Sequence, residues 1–278
     1  MGTLIVGANS FVAAAFARDS AKHGRKLVAV FNQNKQRIDD RLYTQVLPFD
    51  ELKSAKDIHN VVFFASHIPY RSMNDTAYQY NNVLAKQLQC VATFPDRRFI
   101  YCSSVSVYGY ANQRPITETT PLNQPTIYGY AKLAGESVTA NCGNGYSLRI
   151  GSVYGHGMSE SVLIGRWCNS ATRCGEILVL GDGSRSQDYI HVNDVARCLQ
   201  KAVTSEVTGV GLCVSGESIS NINLANKIAE LQGHSKVKLT GIDSSPSFSF
   251  NNKITRAKLG WAPEVGLEQG LVETLNIQ

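Results

Sequence analysis

Three polar side chains have the types and spacing needed to move a proton and a hydride. Ser104 ends an apolar run at 97–104, and Tyr128 and Lys132 follow it in a Tyr-x-x-x-Lys pattern. Side chains four residues apart on a helix share one face, so the ammonium can lie beside the phenol, and a nearby cation stabilises the ionised phenol. Ser104 could then hydrogen-bond a substrate oxygen while Tyr128 takes or gives the proton. This is acid/base chemistry on a carbinol or a ketone.

The elements around these residues carry the prediction, because a Tyr-x-x-x-Lys pattern alone also arises by chance. The run at 97–104 ends in two serines, a turn-rich loop follows, and Thr126 after Pro125 is typical of a helix start. A strand, a loop and a helix in this order would bring Ser104 and Tyr128 together. The alternative is a surface helix on which the tyrosine and the lysine merely pack against each other.

The N-terminal segment predicts a turn that binds a dinucleotide. A short apolar run leads into Gly7-x-x-Ser10-x-x-Ala13 and then into a helix that ends near Gly24. Gly7 permits a tight turn, Ser10 and the free amides of the helix can approach a pyrophosphate, and Ala13 allows close packing on the strand. The alternative is an ordinary strand-to-helix turn of small residues.

Further apolar runs alternate with stretches of helical period. The runs lie at 26–31, 45–50, 60–66, 97–104 and 146–155. This pattern is typical of an α/β fold with a parallel sheet covered on both faces. Right-handed crossovers make such a sheet doubly wound and place ligands at the carboxyl ends of its strands.

Together these motifs resemble the extended short-chain dehydrogenase/reductase family, in particular its NAD(P)-dependent nucleotide-sugar epimerases, dehydratases and ketoreductases. Besides the residues already named, the resemblance rests on VFFAS at 62–66, YNNV at 80–83, LRIGSVYGHG at 148–157, GDGSRSQDYIHVNDVA at 181–196 and KLGWAP at 258–263. It implies a dinucleotide-binding Rossmann domain over 1–152 and a smaller substrate-binding lobe over 153–278. A strand near 211–216 is expected to return from the lobe to the main sheet.

The resemblance also implies a role for individual residues. Tyr128 would be the acid/base, Lys132 would hold the nicotinamide ribose, and Ser104 would bind the reacting oxygen. The cofactor-binding residues expected are Gly7, Asn9, Ser10, Phe11, Val12, Asn32, Lys35, Arg37, Asp50, Glu51, Ala65, Ser66, Asn82, Tyr128, Lys132 and Ile150. The substrate-binding residues expected are Ser66, His67, Ser104, Ser106, Ser152, Arg185 and Gln187.

The residues after the second predicted strand favour NADP, with NAD as the alternative. An Asp or Glu there would accept a hydrogen bond from the adenosine 2′-hydroxyl of NAD, but the chain has no acid from Asn32 to Arg37. Lys35 and Arg37 could bind a 2′-phosphate instead. The other interpretation is that both cations are merely solvated on a loop.

Three further departures from the family concern the substrate. Val105 and Ser106 stand where the family's dehydratases have acidic residues, so we do not expect dehydration. Gln187 replaces the usual Arg on the nucleotide diphosphate, and Ser152 replaces the usual Asn. Either Arg185 substitutes for the missing arginine or the substrate carries less phosphate there.

Composition excludes several other classes of protein. The 278 residues are 43% hydrophobic and 18% charged, which is ordinary for a globular protein. The net charge of +5 is dispersed, so anionic small ligands explain it better than nucleic acid, and a charge without functional meaning is the simpler interpretation. No apolar run approaches the roughly 18 residues of a membrane span. The first strand follows Met1 so closely that we expect no signal peptide.

The cysteines and histidines suggest neither a metal site nor a disulfide framework. The seven cysteines are scattered, without a Cys-x-x-Cys pair or a histidine pair at zinc spacing. We therefore expect reduced thiols in a cytoplasmic protein. The sequence does not determine the oligomeric state, and a homodimer is one assembly compatible with it.

Three functions fit these observations best, and a reductase of a non-nucleotide substrate is the remaining alternative. The leading hypothesis is NADP-dependent reduction of a 4-keto group on a nucleotide-activated, deoxygenated hexose. The second is a nucleotide-sugar 4-epimerase that keeps NAD tightly bound. The third is a dinucleotide-sensing binding protein that retains the fold without the chemistry, and the intact Ser104, Tyr128 and Lys132 set argues against it.

Overall fold

The computed structural model describes residues 2–67, 76–233 and 235–275. The strands are β1 (Gly2–Val6), β2 (Lys26–Phe31), β3 (Gln45–Pro48), β4 (Ile58–Phe63), β5 (Arg98–Ser104), β6 (Gly145–Ile150), β7 (Ser152–Tyr154), β8 (Glu176–Leu180), β9 (Ser186–His191), β10 (Gly209–Cys213), β11 (Ser218–Ser220) and β12 (Lys236–Thr240). The helices are α1 (Phe11–Lys22), α2 (Thr76–Thr93), α3 (Ile127–Ala140), α4 (Leu163–Cys174), α5 (Val192–Thr204), α6 (Asn221–Leu231), α7 (Lys253–Leu259) and α8 (Leu267–Leu275). Short 3₁₀ helices cover Asp40–Leu42, Phe49–Ser54 and Val105–Tyr108.

One parallel sheet of seven strands organises the fold. Its order is β10-β6-β5-β4-β1-β2-β3, and every neighbouring pair runs parallel. Helices α1 and α5 pack together on one face, and α2 and α3 pack together on the other. The predicted doubly wound α/β fold is therefore confirmed. Strand β10 pairs with β6, so the chain re-enters this sheet after leaving it.

Burial on both faces explains why the strands read as continuous apolar runs. In β1, Leu4 and Val6 belong to the core beneath α2, whereas Ile5 belongs to the core beneath α1 and α5. All three side chains are at most 2% exposed. Strands covered by helices on both sides need apolar residues at consecutive positions.

The C-terminal half adds a second core beside the main sheet. Strands β7, β9 and β11 form a three-stranded sheet, and β8 and β12 form a parallel pair. Helices α4 and α6 pack on β8, and Trp167, Leu224 and Leu271 are buried there. None of the helices in the described ranges is both long enough and apolar enough to cross a membrane.

The predicted run at 146–155 is divided between two sheets. Strand β6 ends at Ile150 and belongs to the large sheet, whereas β7 begins at Ser152 and pairs with β9. Between them, the backbone N–H of Gly151 donates to the carbonyl oxygen of Cys213 at 3.0 Å. Periodicity does not show this transition, because both segments are apolar. The domain boundary near residue 152 stays a prediction.

Candidate active site

The first turn of α3 positions the predicted acid/base pair. Thr126 is the N-cap residue, and its Oγ1 accepts a hydrogen bond from the backbone N–H of Gly129 at 3.3 Å. A methyl group on Gly129 would lie 2.5 Å from the carbonyl oxygen of Ser106. Glycine at this position therefore lets the turn that carries Tyr128 lie directly against the segment that follows β5. The predicted helix start at Thr126 is confirmed.

Lys132 is buried one turn after Tyr128, with 4% of its surface exposed. Its Nζ donates a hydrogen bond to the carbonyl oxygen of Cys102 at 2.7 Å and lies 5.7 Å from the centre of the Tyr128 ring. Burial lowers the pKa of Lys132, but interactions with Tyr101, Tyr128 and Cys102 outweigh burial and leave the pKa above its ordinary value. Lys132 therefore keeps its positive charge at neutral pH, beside the phenol of Tyr128.

Ser104 is the last residue of β5 and begins the turn that faces α3. Its Oγ accepts a hydrogen bond from the backbone N–H of Ser106 at 3.2 Å and donates one to the Ser106 Oγ at 3.1 Å. Both serines are half-buried. Ser104 thus has a fixed orientation at the carboxyl end of the sheet, with a second hydroxyl next to it.

A buried ion pair joins α3 to β6 and, through Ser103, to β5. Glu136 accepts a hydrogen bond from the Ser103 Oγ at 2.6 Å and two from Arg149, at 2.9 and 2.8 Å. The Arg149 guanidinium lies 4.8 Å from the centre of the Tyr108 ring. Burial lowers the pKa of Arg149, but Glu136 and Tyr108 raise it above its ordinary value. This network fixes α3, β5 and β6 relative to one another directly behind the site.

A small pocket opens between α2, α3 and the end of β4. Ser66, His67, Tyr80, Tyr128 and Lys132 are among the residues that line it. The Tyr80 ring meets the His67 ring edge-on at 5.6 Å, and its buried hydroxyl has no hydrogen-bond partner among the described residues. Burial raises the pKa of Tyr80. The phenol ring of Tyr80 therefore lines the same pocket as Tyr128.

The N-terminal turn has the geometry expected for a dinucleotide. Gly7 has a φ of +83°, and a methyl group there would lie 2.7 Å from the backbone nitrogen of Ala65. Ser10 is the N-cap of α1, and its Oγ accepts from the backbone N–H of Ala13 at 3.2 Å. Because Gly7 has no side chain, the backbone of Ala65 can lie directly against the turn that leads from β1 into α1. A helix N-terminus in this position suits a pyrophosphate.

The residues expected near adenosine lie at the carboxyl ends of β2 and β3. Asn32 follows β2 on the surface, and Asp50 lies exposed in the 3₁₀ helix after β3. The Lys35 Nζ is 3.0 Å from the Asp40 Oδ2, and its side chain is 52% exposed. Arg37 is also exposed. The two cations expected to bind a 2′-phosphate thus lie on an open loop, where one of them already pairs with a carboxylate.

The remaining expected cofactor residues lie on five separate segments of the chain. Asn82 is half-buried on α2, and Ile150 is buried at the end of β6. The others are Asn9, Phe11 and Val12, half-buried at the start of α1, Ser66, exposed after β4, and Glu51, exposed after β3. Their roles toward a cofactor stay predictions.

On the substrate side, Arg185 lies next to Gln187. The Arg185 guanidinium donates to the Gln187 Oε1 at 3.3 Å and to the Pro246 carbonyl oxygen at 3.2 Å. It also lies 3.8 Å from a carboxylate oxygen of Asp243. Ser152 is exposed at the first position of β7. A cation is therefore present beside the glutamine, although its substrate role stays a prediction.

A comparison with known families identifies the family to which the chain belongs. A sequence model described as the NAD dependent epimerase/dehydratase family matches residues 3–212. Since this match covers most of the chain, the protein belongs to the NAD dependent epimerase/dehydratase family. The predicted family and the prediction that the chain is an enzyme are both confirmed.

Individual relatives are distant in sequence and similar in fold. The dTDP-glucose 4,6-dehydratase of Streptomyces niveus is 24% identical over 232 residues, which cover 77% of this chain and 68% of that protein. The UDP-glucose 4-epimerase of Thermotoga maritima, solved with UDP-glucose, superposes with a TM-score of 0.85 at 21% identity over 99% of this chain and 98% of that one. The dTDP-glucose 4,6-dehydratase of Bacillus anthracis, solved with NAD, gives 0.86 at 19% identity over 99% and 96%.

Sequence reasoning missed several residues that lie in, behind or beside the candidate site. Tyr80 and Glu136 were not identified as site residues, and neither was Lys86, which reaches Asn32 from α2. Glu136 follows Lys132 by four residues, so helical spacing could have indicated it. Lys86 and Asn32 are 54 residues apart, and no local pattern shows such a contact.

Proposed function

We propose that this chain is an NADPH-dependent reductase of the 4-keto group of a nucleotide-activated deoxyhexose. The observation that supports it most is the buried Lys132 ammonium, held on the Cys102 carbonyl oxygen beside the Tyr128 ring. Such a cation serves a phenol that exchanges a proton in each turnover. A protein that only sensed a dinucleotide would have no use for it.

The side chains divide the proton chemistry among them. The nicotinamide, when bound, supplies a hydride to the carbonyl carbon. Tyr128 donates its phenol proton to the carbonyl oxygen, which turns the ketone into a secondary alcohol. Lys132 stabilises the phenolate that remains, and Ser104 hydrogen-bonds the same substrate oxygen. Ser104 is held for this task by its hydrogen bonds with Ser106.

Two features support net reduction. The segment after β2 lacks the carboxylate that would accept from the 2′-hydroxyl of NAD, which suits NADPH, a cofactor that leaves after each turnover. Val105 and Ser106, in the turn after Ser104, carry no acidic group that could remove water from a sugar.

The substrate's nucleotide half has a candidate partner. Arg185 is oriented by Gln187, Asp243 and the Pro246 carbonyl, and it places a cation where Gln187 supplies none. A guanidinium can bind a diphosphate through two parallel hydrogen bonds. This favours a nucleotide-activated sugar over a free sugar.

A 4-epimerase with tightly bound NAD is the second candidate. It is favoured by the likeness to the UDP-glucose 4-epimerase of Thermotoga maritima over nearly the whole chain. The same Ser104, Tyr128 and Lys132 set would act twice, with the sugar turned over between the two hydride steps. Such an enzyme would show no net change of cofactor.

One pair of assays separates the two candidates. Purified protein is mixed with NADPH and a panel of 4-keto-6-deoxy sugar nucleotides, and separately with UDP-glucose and related 4-hydroxyl sugars without cofactor. We expect NADPH oxidation in proportion to one of the ketones. Isomerisation of a hydroxyl sugar, with no NADPH oxidation on any ketone, would replace the reductase by the epimerase. Tight dinucleotide binding without either reaction would favour the sensor.

A further inference from the structure

Lys86 reaches the adenosine end of the cleft from a distant element. It lies in the middle of α2, and its Nζ donates a hydrogen bond to the Asn32 Oδ1 at the end of β2. The same Nζ lies 5.2 Å from the centre of the Phe49 ring, just after β3. The Lys86 ammonium therefore lies at the carboxyl ends of β2 and β3. A dinucleotide fold places the adenosine ribose in this region.

Lys86 differs from the lysine and arginines of the loop after β2. That loop is exposed, and its charges are largely paired: Lys35 with Asp40 at 3.0 Å and Arg41 with Asp39 at 2.8 Å. Lys86 is half-buried, and no carboxylate oxygen lies within salt-bridge distance of it among the described residues. Asp50 acts on it only from further away. Within the described part of the chain, Lys86 is thus a partly desolvated cation with no carboxylate in direct contact.

The hydrogen-bond donors of Lys86 and Asn32 indicate which chemical group would bind there. An ammonium only donates, so the Asn32 side-chain oxygen accepts from Lys86, and this contact orients the Asn32 side-chain N–H groups as donors for a ligand. Together Lys86 and Asn32 present a surface of donors. No carboxylate of the described residues contacts this pair, so a ribose 2′-hydroxyl would have no such group to donate to, whereas a phosphate offers several acceptor oxygens.

We propose that Lys86 binds the 2′-phosphate of NADPH, with Asn32 as its second donor, and so determines the cofactor preference. This rests on the NADPH-dependent function proposed above. It assigns specificity to a residue of α2 rather than to the loop after β2. A point charge that is already oriented loses little freedom on binding.

The test uses nucleotide fragments that need no catalysis. Binding of 2′,5′-ADP and of 5′-AMP is measured by calorimetry for the wild type, Lys86→Met and Lys86→Arg. We expect the wild type to prefer 2′,5′-ADP. Lys86→Met should weaken 2′,5′-ADP binding about 10- to 100-fold, the range of a hydrogen bond to a charged group. 5′-AMP binding should change less than about twofold, and Lys86→Arg should retain most of the preference.

Lys201→Met is the matched control, because Lys201 is exposed on α5, on the opposite face of the sheet. Melting temperatures of all variants check the fold. If Lys86→Met leaves the ratio of the 2′,5′-ADP and 5′-AMP affinities unchanged, the proposal is overturned. If Lys35→Met abolishes the preference instead, the loop after β2 binds the 2′-phosphate. Tighter binding of both fragments by Lys86→Met would show that the side chain obstructs the adenosine site.

The two proposals fail separately. If the fragment preference depends on Lys86 but no 4-keto sugar is reduced, the reductase function is wrong and the inference stands. If a 4-keto sugar is reduced while the wild type binds both fragments equally, the inference is wrong and the function stands.

Discussion

The two ends of the cleft hold their lysines in different ways. At the proposed catalytic end, Lys132 is buried and donates to a backbone carbonyl oxygen, four residues after Tyr128. At the adenosine end, Lys35 lies on an exposed loop, and Lys86 arrives from a helix 54 residues away from its partner Asn32. The proposed catalytic residues therefore lie on one strand and one helix, whereas the proposed basis of cofactor preference is a contact between distant segments.

This contrast predicts where substitutions have their largest effects. The catalytic end is supported by a helix cap, a glycine contact and a buried ion pair, so a change there alters chemistry or stability strongly. The adenosine end is solvated on its loop side, so single charges there should change affinity and leave the fold intact.

The largest effect is expected for Tyr128→Phe. The change removes the hydroxyl that transfers the proton and leaves the ring, so turnover should fall by about 10²- to 10⁴-fold. Dinucleotide affinity should change less than about twofold. Steady-state kinetics and calorimetry measure the two quantities. Tyr130→Phe is the control, because Tyr130 is 57% exposed on the same helix. A Tyr128→Phe enzyme that keeps more than about a tenth of the wild-type rate is incompatible with Tyr128 as the acid/base.

Glu136→Gln should destabilise the fold more than any exposed charge change. The substitution leaves Arg149 buried without its carboxylate, which typically costs about 3–5 kcal/mol of unfolding free energy. Glu268→Gln removes one partner of the exposed pair with Lys227 and should cost less than about 1 kcal/mol. Urea denaturation of both variants gives the comparison. Equal losses of unfolding free energy in the two variants would show that the buried Glu136–Arg149 pair contributes no more to stability than an exposed pair.

Local patterns in the sequence were sufficient to predict the main strands and helices and the elements that carry Ser104, Tyr128 and Lys132. The run at 26–31 is β2 with the same bounds, and Thr126 caps the start of α3 where the Pro-Thr pair predicts it. Gly7 has the positive φ that a tight turn requires. These features depend on residues within one or two turns of each other, and such spacing can be read directly.

The remaining features required the three-dimensional structure. The Glu136 and Arg149 pair joins α3 to β6, and the Lys86 contact joins α2 to β2, so neither leaves a periodic signal. Gly151 marks a change of sheet within one apolar run. Long-range pairing depends on how the elements pack, and composition or spacing does not specify it.

The smallest effect is expected for Asp40→Asn, which tests whether the charges of the loop after β2 contribute to the adenosine end. Asp40 and Lys35 form an exposed ion pair, so the substitution should change the unfolding free energy by less than about 1 kcal/mol. It also releases the Lys35 ammonium and adds positive charge near the adenosine site. Affinity for 2′,5′-ADP should therefore rise about twofold at low salt. The gain should disappear at about 0.5 M salt, because exposed charges are screened over a few ångströms there. An increase of about tenfold or more that persists in salt would mean that the loop, and not Lys86, dominates phosphate binding at this end.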